Sequence, residues 1–140
     1  MSARRVATSS YVLDTSALMT LIEDEPGASQ VEHALVKETA FIPFVVLLEI
    51  RYITLQEQDR HVADLRHALL LNSPAQILWT MDESTLLTAA RLKANHRISL
   101  GDSIVAAYAI QRGATLLHKD PEFEALADEL VLASLPYKSA

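Results

Sequence analysis

The sequence has no cysteine and few residues that interrupt regular structure. The lack of cysteine excludes a disulfide framework, a thiolate zinc site and a cysteine nucleophile. With three glycines and five prolines among 140 residues, and no low-complexity stretch, extended disorder is not expected. No apolar run approaches the roughly 20 residues that span a bilayer, and no signal-peptide pattern follows the first residues. We therefore expect a cytoplasmic protein without membrane contact.

The composition favours one folded domain and leaves the class of partner open. Half of the residues are hydrophobic, and a length of 140 residues suits a single domain over residues 1–140. There are 18 acidic and 12 basic residues, for a net charge of -6. This excess of acid argues against a nucleic acid partner, because phosphate binding usually leaves a basic surface. The argument weakens if several of the acids bind divalent cations.

Short apolar segments alternate with segments of helical spacing along the chain. Strands are predicted at 10–14, 40–42, 76–79, 114–117 and 131–132. Helices are predicted at 17–22 and 28–37, from Pro43 to about Glu57, from Asp59 to near Asn72, from Asp82 or Ser84 to about Ala94, and from Ser99 to Gly113. Because the strands are short and apolar on both faces, the alternation predicts an α/β protein. Its architecture would be a three-layer α/β/α sandwich with a short central parallel sheet.

Helical spacing also assigns apolar faces to the last three helices. These faces carry Val62, Leu65 and Leu69 in the first, Leu86, Leu87, Ala90 and Ala94 in the second, and Ile104, Val105, Tyr108 and Ala109 in the third. An apolar face on an amphipathic helix is the face that is expected to pack against the rest of the protein.

Four acidic residues stand where α/β proteins bind ligands, or where an acid is costly. Asp14 and Asp120 each end a predicted strand, at the edge where open parallel sheets bind ligands. Asp102 lies in the first turn of a helix, where backbone N–H groups favour negative charge, and Ser99 three residues earlier completes a capping pattern. Glu49 interrupts an apolar helical stretch, so its carboxylate needs a partner or a cation.

Each of these acids also has a purely structural interpretation. Aspartate is common in helix caps and turns, which could account for Asp14, Asp102 and Asp120. Glu49 could form a salt bridge with Arg51 or Arg91. Joint placement at one edge of the sheet favours a site, because four carboxylates repel each other unless cations neutralise them. Oxygen ligands without cysteine predict Mg²⁺ or Mn²⁺ rather than zinc. Among the five histidines, His118 is the one to watch, because it lies close to Asp120 in the sequence.

Four segments carry a more specific signal. They are YVLDTSAL at 11–18, VLLEI at 46–50, LGDSIVAAYA at 100–109 and GATLLHKDPEF at 113–123. Together they resemble the PIN-domain nucleases, and most closely the VapC-like toxins of bacterial toxin–antitoxin pairs. The resemblance covers nearly the whole chain, in the order and at the spacings typical of the family. It implies a PIN-like fold and a metal-dependent nuclease.

The resemblance assigns roles to individual residues. The acidic quartet that binds the metal and catalyses is matched by Asp14, Glu49, Asp102 and Asp120. Ser16, with Thr15 beside it, matches a hydroxyl position that supports the first acid or holds a water. Phe123 matches an aromatic residue that packs beneath the last acid, the one expected to lie farthest from the metal. The chain departs from the family at Gly101, where Ala-Asp-Ala becomes Gly-Asp-Ser, a change expected to be tolerated. It also departs at Glu122, which replaces a frequent aspartate, so no ligand role is implied there.

The implied activity is that of a Mg²⁺-dependent endoribonuclease acting as the toxin of a toxin–antitoxin system. It would hydrolyse RNA phosphodiester bonds and leave a 5′-phosphate and a 3′-hydroxyl. The resemblance also implies a cognate antitoxin protein, contact with promoter DNA only through that antitoxin, and a homodimer. The helices at 28–37 and 44–57 are candidate dimer surfaces, although the same residues could belong to the core.

RNA would need cationic side chains outside the acidic site. The densest basic stretch lies just before Asp102 and contains Arg91, Lys93, His96 and Arg97. Arg91, Lys93 and Arg97 are candidate RNA-binding residues, and the alternative is a solvated helix face. Arg4 and Arg5 are either a phosphate-binding arm or a terminus without a role.

Three other functions compete with the toxin hypothesis. A PIN-domain nuclease of RNA processing would share the whole site. A catalytically inactive scaffold that binds RNA or protein would not need the intact quartet. A phosphoacceptor receiver domain is disfavoured, because it normally pairs acids after the first strand and has an acceptor aspartate near mid-chain. Here Asp14 stands alone, and no strand-ending aspartate falls near residues 50–65.

Overall fold

Five short parallel strands form the centre of the computed structural model, which describes residues 9–138. The strands are β1 (Ser10–Leu13), β2 (Thr39–Pro43), β3 (Gln76–Leu78), β4 (Thr115–His118) and β5 (Leu132–Ser134). The helices are α1 (Thr15–Ile22), α2 (Ala28–Lys37), α3 (Phe44–Glu57), α4 (Arg60–Leu71), α5 (Glu83–Asn95) and α6 (Leu100–Arg112), and a 3₁₀ helix spans Pro121–Leu126. Within the described residues, no helix combines the length and apolar character needed to cross a membrane.

The strand order β3-β2-β1-β4-β5 confirms the predicted α/β sandwich. The chain moves from β1 toward one edge through β2 and β3, then crosses back to β4 and β5 on the other side. Right-handed crossovers in opposite directions place helices on opposite faces of the sheet. Central strands are therefore covered on both faces, and Val12 and Leu13 of β1 have no solvent exposure. The order reverses between β1 and β4, and open sheets of this kind bind ligands at such a point.

Local signals set where the helices begin and end. Asp59 accepts a hydrogen bond from the backbone N–H of Val62, and Asp82 does the same for Thr85, so each caps a helix as predicted. Gly113 ends α6 in the left-handed conformation, at φ 60°. The cap at Asp82 decides between the two candidate caps of α5.

The apolar faces predicted for α4 and α5 are wrong. Leu65 and Leu69 are 53% and 61% exposed, and Leu86 and Leu87 are 52% and 58% exposed. The residues that these two helices bury are Ala63 and Leu70 in α4, and Thr85, Ala89 and Leu92 in α5. Small side chains at the contact allow helices to approach closely, and α4 and α5 each pack on a neighbouring helix, α3 and α6. Helical spacing identified an apolar face but not the face that turns inward.

Helix α6 lies between the sheet and α5, and most of it is inaccessible to solvent. Every residue from Val105 to Ala109 is buried, as are Asp102 and Ser103 at its start. The Tyr108 hydroxyl donates a hydrogen bond to the carbonyl of Thr80 at 2.6 Å. This packing fixes the first turn of α6, and with it Asp102, relative to the strand ends.

Candidate metal centre

Asp14 follows β1 directly and lies in the interior, with 2% of its surface exposed. Its Oδ2 accepts hydrogen bonds from the backbone N–H of Ser16 at 3.1 Å and from the Ser16 hydroxyl at 2.6 Å. Its Oδ1 is buried and has no hydrogen-bond partner among the described residues. Burial raises the pKa of Asp14 to about 6, against the lowering effect of the Ser16 hydrogen bonds. An ionised carboxylate with an unpaired buried oxygen requires a cation or a donor from outside the chain.

Asp102 enters the same region from the first turn of α6. Its backbone N–H is capped by the Ser99 hydroxyl at 3.1 Å, and it is 7% exposed. Burial, together with the nearby charges of Asp14 and Asp120, raises the pKa of Asp102 to about 8. The charges of Glu49 and Glu122 contribute in the same direction. Four neighbouring acids therefore disfavour the ionised form of Asp102 in the absence of a cation.

A compact group of three carboxylates forms where β4 ends. Single carboxylate oxygens of Asp102, Asp120 and Glu122 lie within 4.8 Å of one another. Asp120 caps the 3₁₀ helix, and its Oδ1 accepts a hydrogen bond from the backbone N–H of Glu122 at 3.0 Å. Asp120 and Glu122 both belong to this tight turn, and the turn brings their carboxylates close to that of Asp102. Asp120, the acid expected to lie farthest from the metal, has a carboxylate oxygen within 4.8 Å of one of Asp102.

Glu49 projects from α3 and is held by two small residues. Its Oε1 accepts a hydrogen bond from the Thr15 hydroxyl at 2.7 Å. A Cβ atom added to Gly101 would lie 2.8 Å from Glu49 Oε2, which is closer than real contacts allow. The glycine therefore lets the carboxylate lie against the start of α6.

Neither salt bridge considered for Glu49 forms. Arg51 binds Asp64 at 2.8 Å, and Arg91 binds Glu129 at 2.6 Å. Within the part of the chain that the structure describes, the Glu49 carboxylate is therefore bound by the Thr15 hydroxyl and not by an arginine.

The Ser16 side chain connects the ends of the two central strands. Its hydroxyl donates to Asp14 Oδ2 and accepts a hydrogen bond from the backbone N–H of Lys119 at 2.8 Å. Lys119 follows β4, so a single oxygen ties the end of β4 to the acid that follows β1. Ser16 and Thr15 thus each contact one acid, Ser16 the first and Thr15 Glu49.

His118 and Phe123 support the last acid from below. His118 is 1% exposed, and its Nδ1 accepts a hydrogen bond from the backbone N–H of Asp120. Its ring centroid lies 5.1 Å from that of the fully buried Phe123. Burial lowers the pKa of His118, so the neutral ring that accepts this hydrogen bond is favoured. His118 positions a backbone segment and does not approach the acids as a ligand in this arrangement.

Part of the predicted basic stretch is bound to an acidic side chain of the same protein. Arg91 binds Glu129, which also contacts His96 at 2.8 Å. Lys93 and Arg97 are exposed. Arg4 and Arg5 lie outside the described residues.

Three residues near the centre were not predicted to contribute. They are Glu122, Gly101 and Lys119. Glu122 had a sequence signal, since it stands two residues after Asp120 in the turn that begins at Pro121. The other two depend on packing between segments that are distant in sequence, which no local pattern reveals.

The donor set fits a hard divalent cation. Carboxylate oxygens are the preferred ligands of Mg²⁺ and Mn²⁺, and the unpaired buried oxygen of Asp14 gives a specific reason for a cation here. Burial raises the pKa values of Asp14 and Asp102. A bound cation would supply the positive charge that stabilises their ionised forms.

Comparison with known proteins places this geometry in context. The family described as the PIN domain matches residues 11–129. A comparison with curated proteins finds no match. Solved structures with a similar fold include VapBC2 from Rickettsia felis bound to a DNA fragment from its promoter, with 18% identity and a TM-score of 0.74 over 91% of this chain and 99% of that one.

Two further structures resemble the chain over a comparable length. VapBC-1 from nontypeable Haemophilus influenzae is 21% identical, with a TM-score of 0.70 over 89% of this chain and 97% of that one. VapC20 from Mycobacterium tuberculosis, described as a Sarcin-Ricin loop cleaving toxin, is 15% identical, with a TM-score of 0.68 over 86% and 96%. At these identities the likeness concerns the fold.

Proposed function

Because this chain belongs to the PIN domain family, we propose that it is a Mg²⁺-dependent endoribonuclease of the cytoplasm that acts as the toxin of a toxin–antitoxin pair. The observation that carries the proposal is the buried Asp14 carboxylate, whose Oδ1 lacks a partner beside an acidic cluster. The match over residues 11–129 also supports one domain across the chain.

Asp14, Glu49, Asp102 and Asp120 are the residues proposed to hold the cation, with Glu122 as an additional candidate. When bound, a divalent cation lowers the pKa of a water to supply hydroxide and stabilises negative charge on phosphodiester oxygens. The chain itself contributes orientation. Ser16 fixes one oxygen of Asp14 through two hydrogen bonds and leaves the other free to bind. No covalent intermediate with a side chain is required.

The substrate and the partner are inferred from the solved relatives. The description of VapC20 as a Sarcin-Ricin loop cleaving toxin supports RNA as the substrate class. The VapBC structures contain toxin and antitoxin together, one of them on promoter DNA, which supports an antitoxin as partner and promoter contact through it.

A homodimer is the remaining element of the proposal. Helix α3, one of the two candidate dimer surfaces, buries Val46 and Ile50 but exposes Leu48, Tyr52 and Leu55 by 60%, 44% and 45%. Large exposed apolar side chains on one helix are typical of an interaction surface. Sedimentation equilibrium of the purified chain tests this, since a monomer at micromolar concentration would contradict it.

A cleavage assay tests the activity directly. The purified protein is incubated with labelled single-stranded RNA in Mg²⁺, in Mn²⁺ and in excess chelator. We expect cleavage only with the metals, and a loss of at least about 100-fold in Asp14→Asn and in Asp102→Asn, as for a removed charge-stabilising group. Asp128→Asn is the matched control, because Asp128 is exposed and lies outside the acidic cluster. Full activity in Asp14→Asn would exclude this site, and RNA binding without any cleavage would favour the scaffold alternative.

A further inference from the structure

A groove of about 390 Å³ opens directly beside the candidate metal centre. Its walls come from α1, from the segment after β4 and from the chain that follows β5. The lining residues used below are Ser16, Glu25, Lys119, Asp120, Tyr137 and Lys138. Ser16 and Asp120 also belong to the candidate metal centre, so a ligand in the groove would be adjacent to the reacting phosphate. The volume lies within the range of small-ligand sites.

Two lysines and two acids line the groove, Lys119 and Lys138 against Glu25 and Asp120. Lys119 and Lys138 share the carboxylate of Glu25, at 3.8 Å and 3.0 Å. With Asp120 assigned to the cation of the proposed metal centre, Glu25 neutralises only one of the two ammonium groups, so one positive charge remains. The side chain of Lys119 is 6% exposed, and its ionic neighbour Glu25 is farther away than a hydrogen bond reaches. A nearly buried ammonium group without a close acceptor is suited to an anionic ligand from outside.

An aromatic side chain forms one wall of the groove. Tyr137 is 36% exposed, and its hydroxyl donates a hydrogen bond to Glu124 at 3.1 Å. The segment that carries it is anchored: the Leu135 backbone N–H donates to the His118 carbonyl at 2.8 Å, and the Leu135 side chain is buried. The Tyr137 ring centroid lies 6.2 Å from that of the buried His118. Tyr137 is therefore a fixed platform with an accessible part of its ring.

We infer that this groove binds the nucleotide next to the scissile phosphate, which rests on the proposed nuclease function. The Tyr137 ring stacks against the base, and Lys119 and Lys138 bind the phosphate. Lysines beside an aromatic platform are the combination by which proteins bind single-stranded nucleic acid without a fixed sequence. The position next to Ser16 and Asp120 sets the register of the RNA relative to the acids.

Binding of labelled RNA to Tyr137 variants tests the inference. The probe is a fluorescein-labelled, mixed-sequence single-stranded RNA of ten nucleotides, and the readout is anisotropy in the Asp102→Asn background, which prevents cleavage. We expect Tyr137→Ala and Tyr137→Leu to weaken binding by at least about fivefold, and Tyr137→Phe to retain it. Trp79→Ala is the matched control, since Trp79 is 59% exposed and does not line the groove. The leucine variant keeps apolar bulk should the alanine variant not fold.

The lysines are tested by salt dependence. Lys138→Ala should flatten the slope of log affinity against log salt by about 0.7, the value for one phosphate contact on a single strand. Lys37→Ala, an exposed lysine on α2, should leave the slope unchanged. An unchanged slope in Lys138→Ala would overturn the phosphate contact.

Cleavage by the unmutated protein separates this inference from the proposed function. If that protein cleaves RNA and Tyr137→Leu binds as tightly as the Trp79 control, the groove is not a nucleotide site and the nuclease proposal stands. If it does not cleave RNA but Tyr137→Leu still weakens binding, the nuclease proposal fails and the groove remains an RNA site without a neighbouring reaction.

Discussion

Replacing Gly101 with alanine is expected to lower catalytic activity while leaving the fold about as stable as before. The added Cβ would lie 2.8 Å from Glu49 Oε2 and 3.3 Å from its Cδ. Ordinary contacts begin at 3.4 Å, so the carboxylate must retreat by about 0.6 Å. Because the obstacle is the end of a flexible side chain, Glu49 moves and the backbone of α6 does not. The perturbation therefore acts on the site rather than on the core.

Gly101→Ala should change the stability of the fold little and the catalytic rate strongly. Alanine in place of glycine within a helix adds about 0.5–1 kcal/mol of stability, and loss of the hydrogen bond from Thr15 to Glu49 costs about 1 kcal/mol. The two nearly cancel, so the melting temperature should change by less than about 4 °C. A misplacement of about 1 Å in a catalytic group can cost about 100-fold in rate. We therefore expect kcat to fall by about tenfold to 100-fold.

A second glycine supplies the matched control. Gly113 has φ 60° and no atom within 4 Å of an added Cβ. Alanine there is strained by about 1 kcal/mol but touches nothing near the acids. Gly113→Ala should lower the melting temperature and keep activity, whereas Gly101→Ala should keep the melting temperature and lower activity. Both variants are measured by thermal unfolding and by initial rates of RNA cleavage in saturating Mg²⁺.

A double-mutant cycle shows whether Glu49 transmits the effect. In a Glu49→Ala background the carboxylate is absent, so Gly101→Ala should have no further effect on the rate. The reasoning is refuted if Gly101→Ala keeps full activity with its fold intact, or if it lowers the rate equally in both backgrounds. The first result would remove Glu49 from the catalytic centre, and the second would place the effect of the alanine elsewhere.

Three further predictions concern charge and hydrogen bonding. Burial raises the pKa of Asp14 to about 6 and that of Asp102 to about 8, so the metal-free fold binds protons more tightly than the unfolded chain. Its free energy of unfolding should therefore fall as pH rises from about 4 to 8. Asp14 alone accounts for about 3 kcal/mol of this loss, and saturating Mg²⁺ should offset it. Urea unfolding at a series of pH values measures the free energy of unfolding, and a value that does not change with pH would contradict the burial argument. Ser16→Ala removes a hydrogen bond that lowers the Asp14 pKa, so the pH profile of cleavage should shift upward and stability should fall by about 1–2 kcal/mol; an unshifted profile would show that Asp14 does not control the rate. Arg91→Ala breaks the pair with Glu129 and should cost at most about 1 kcal/mol, whereas Lys93→Ala should leave stability unchanged and flatten the salt dependence of RNA binding if Lys93 contacts phosphate.

Elements with strong local signals were predicted closely. The predicted helix at 28–37 coincides with α2, and the strand pattern placed β1 against the first acid. Capping residues such as Asp59 act through hydrogen bonds to residues two or three positions away, so the sequence specifies them locally. The left-handed glycine at 113 ended a helix for the same reason.

The faces of α4 and α5 were not predictable in this way. Leu65 and Leu86 have the spacing of buried residues, yet both are exposed, while Ala63 and Ala89 are buried. Which face turns inward depends on the neighbouring helix and on how closely it approaches, and these are properties of the packed molecule. The partners of Glu49 were hidden for the same reason, since Thr15 is 34 positions away from it.

The sequence by itself determined the succession of strands and helices along the chain, the capping residues and the four acids that deserve mutation. Each of these follows from spacing of a few residues or from the chemistry of one side chain. Only the tertiary structure decided that Glu122 joins Asp102 and Asp120, that Gly101 makes room for Glu49, and that the chain after β5 lines a groove beside them. These contacts join segments far apart in sequence, and their existence depends on how the crossovers bring the strand ends together at one edge of the sheet.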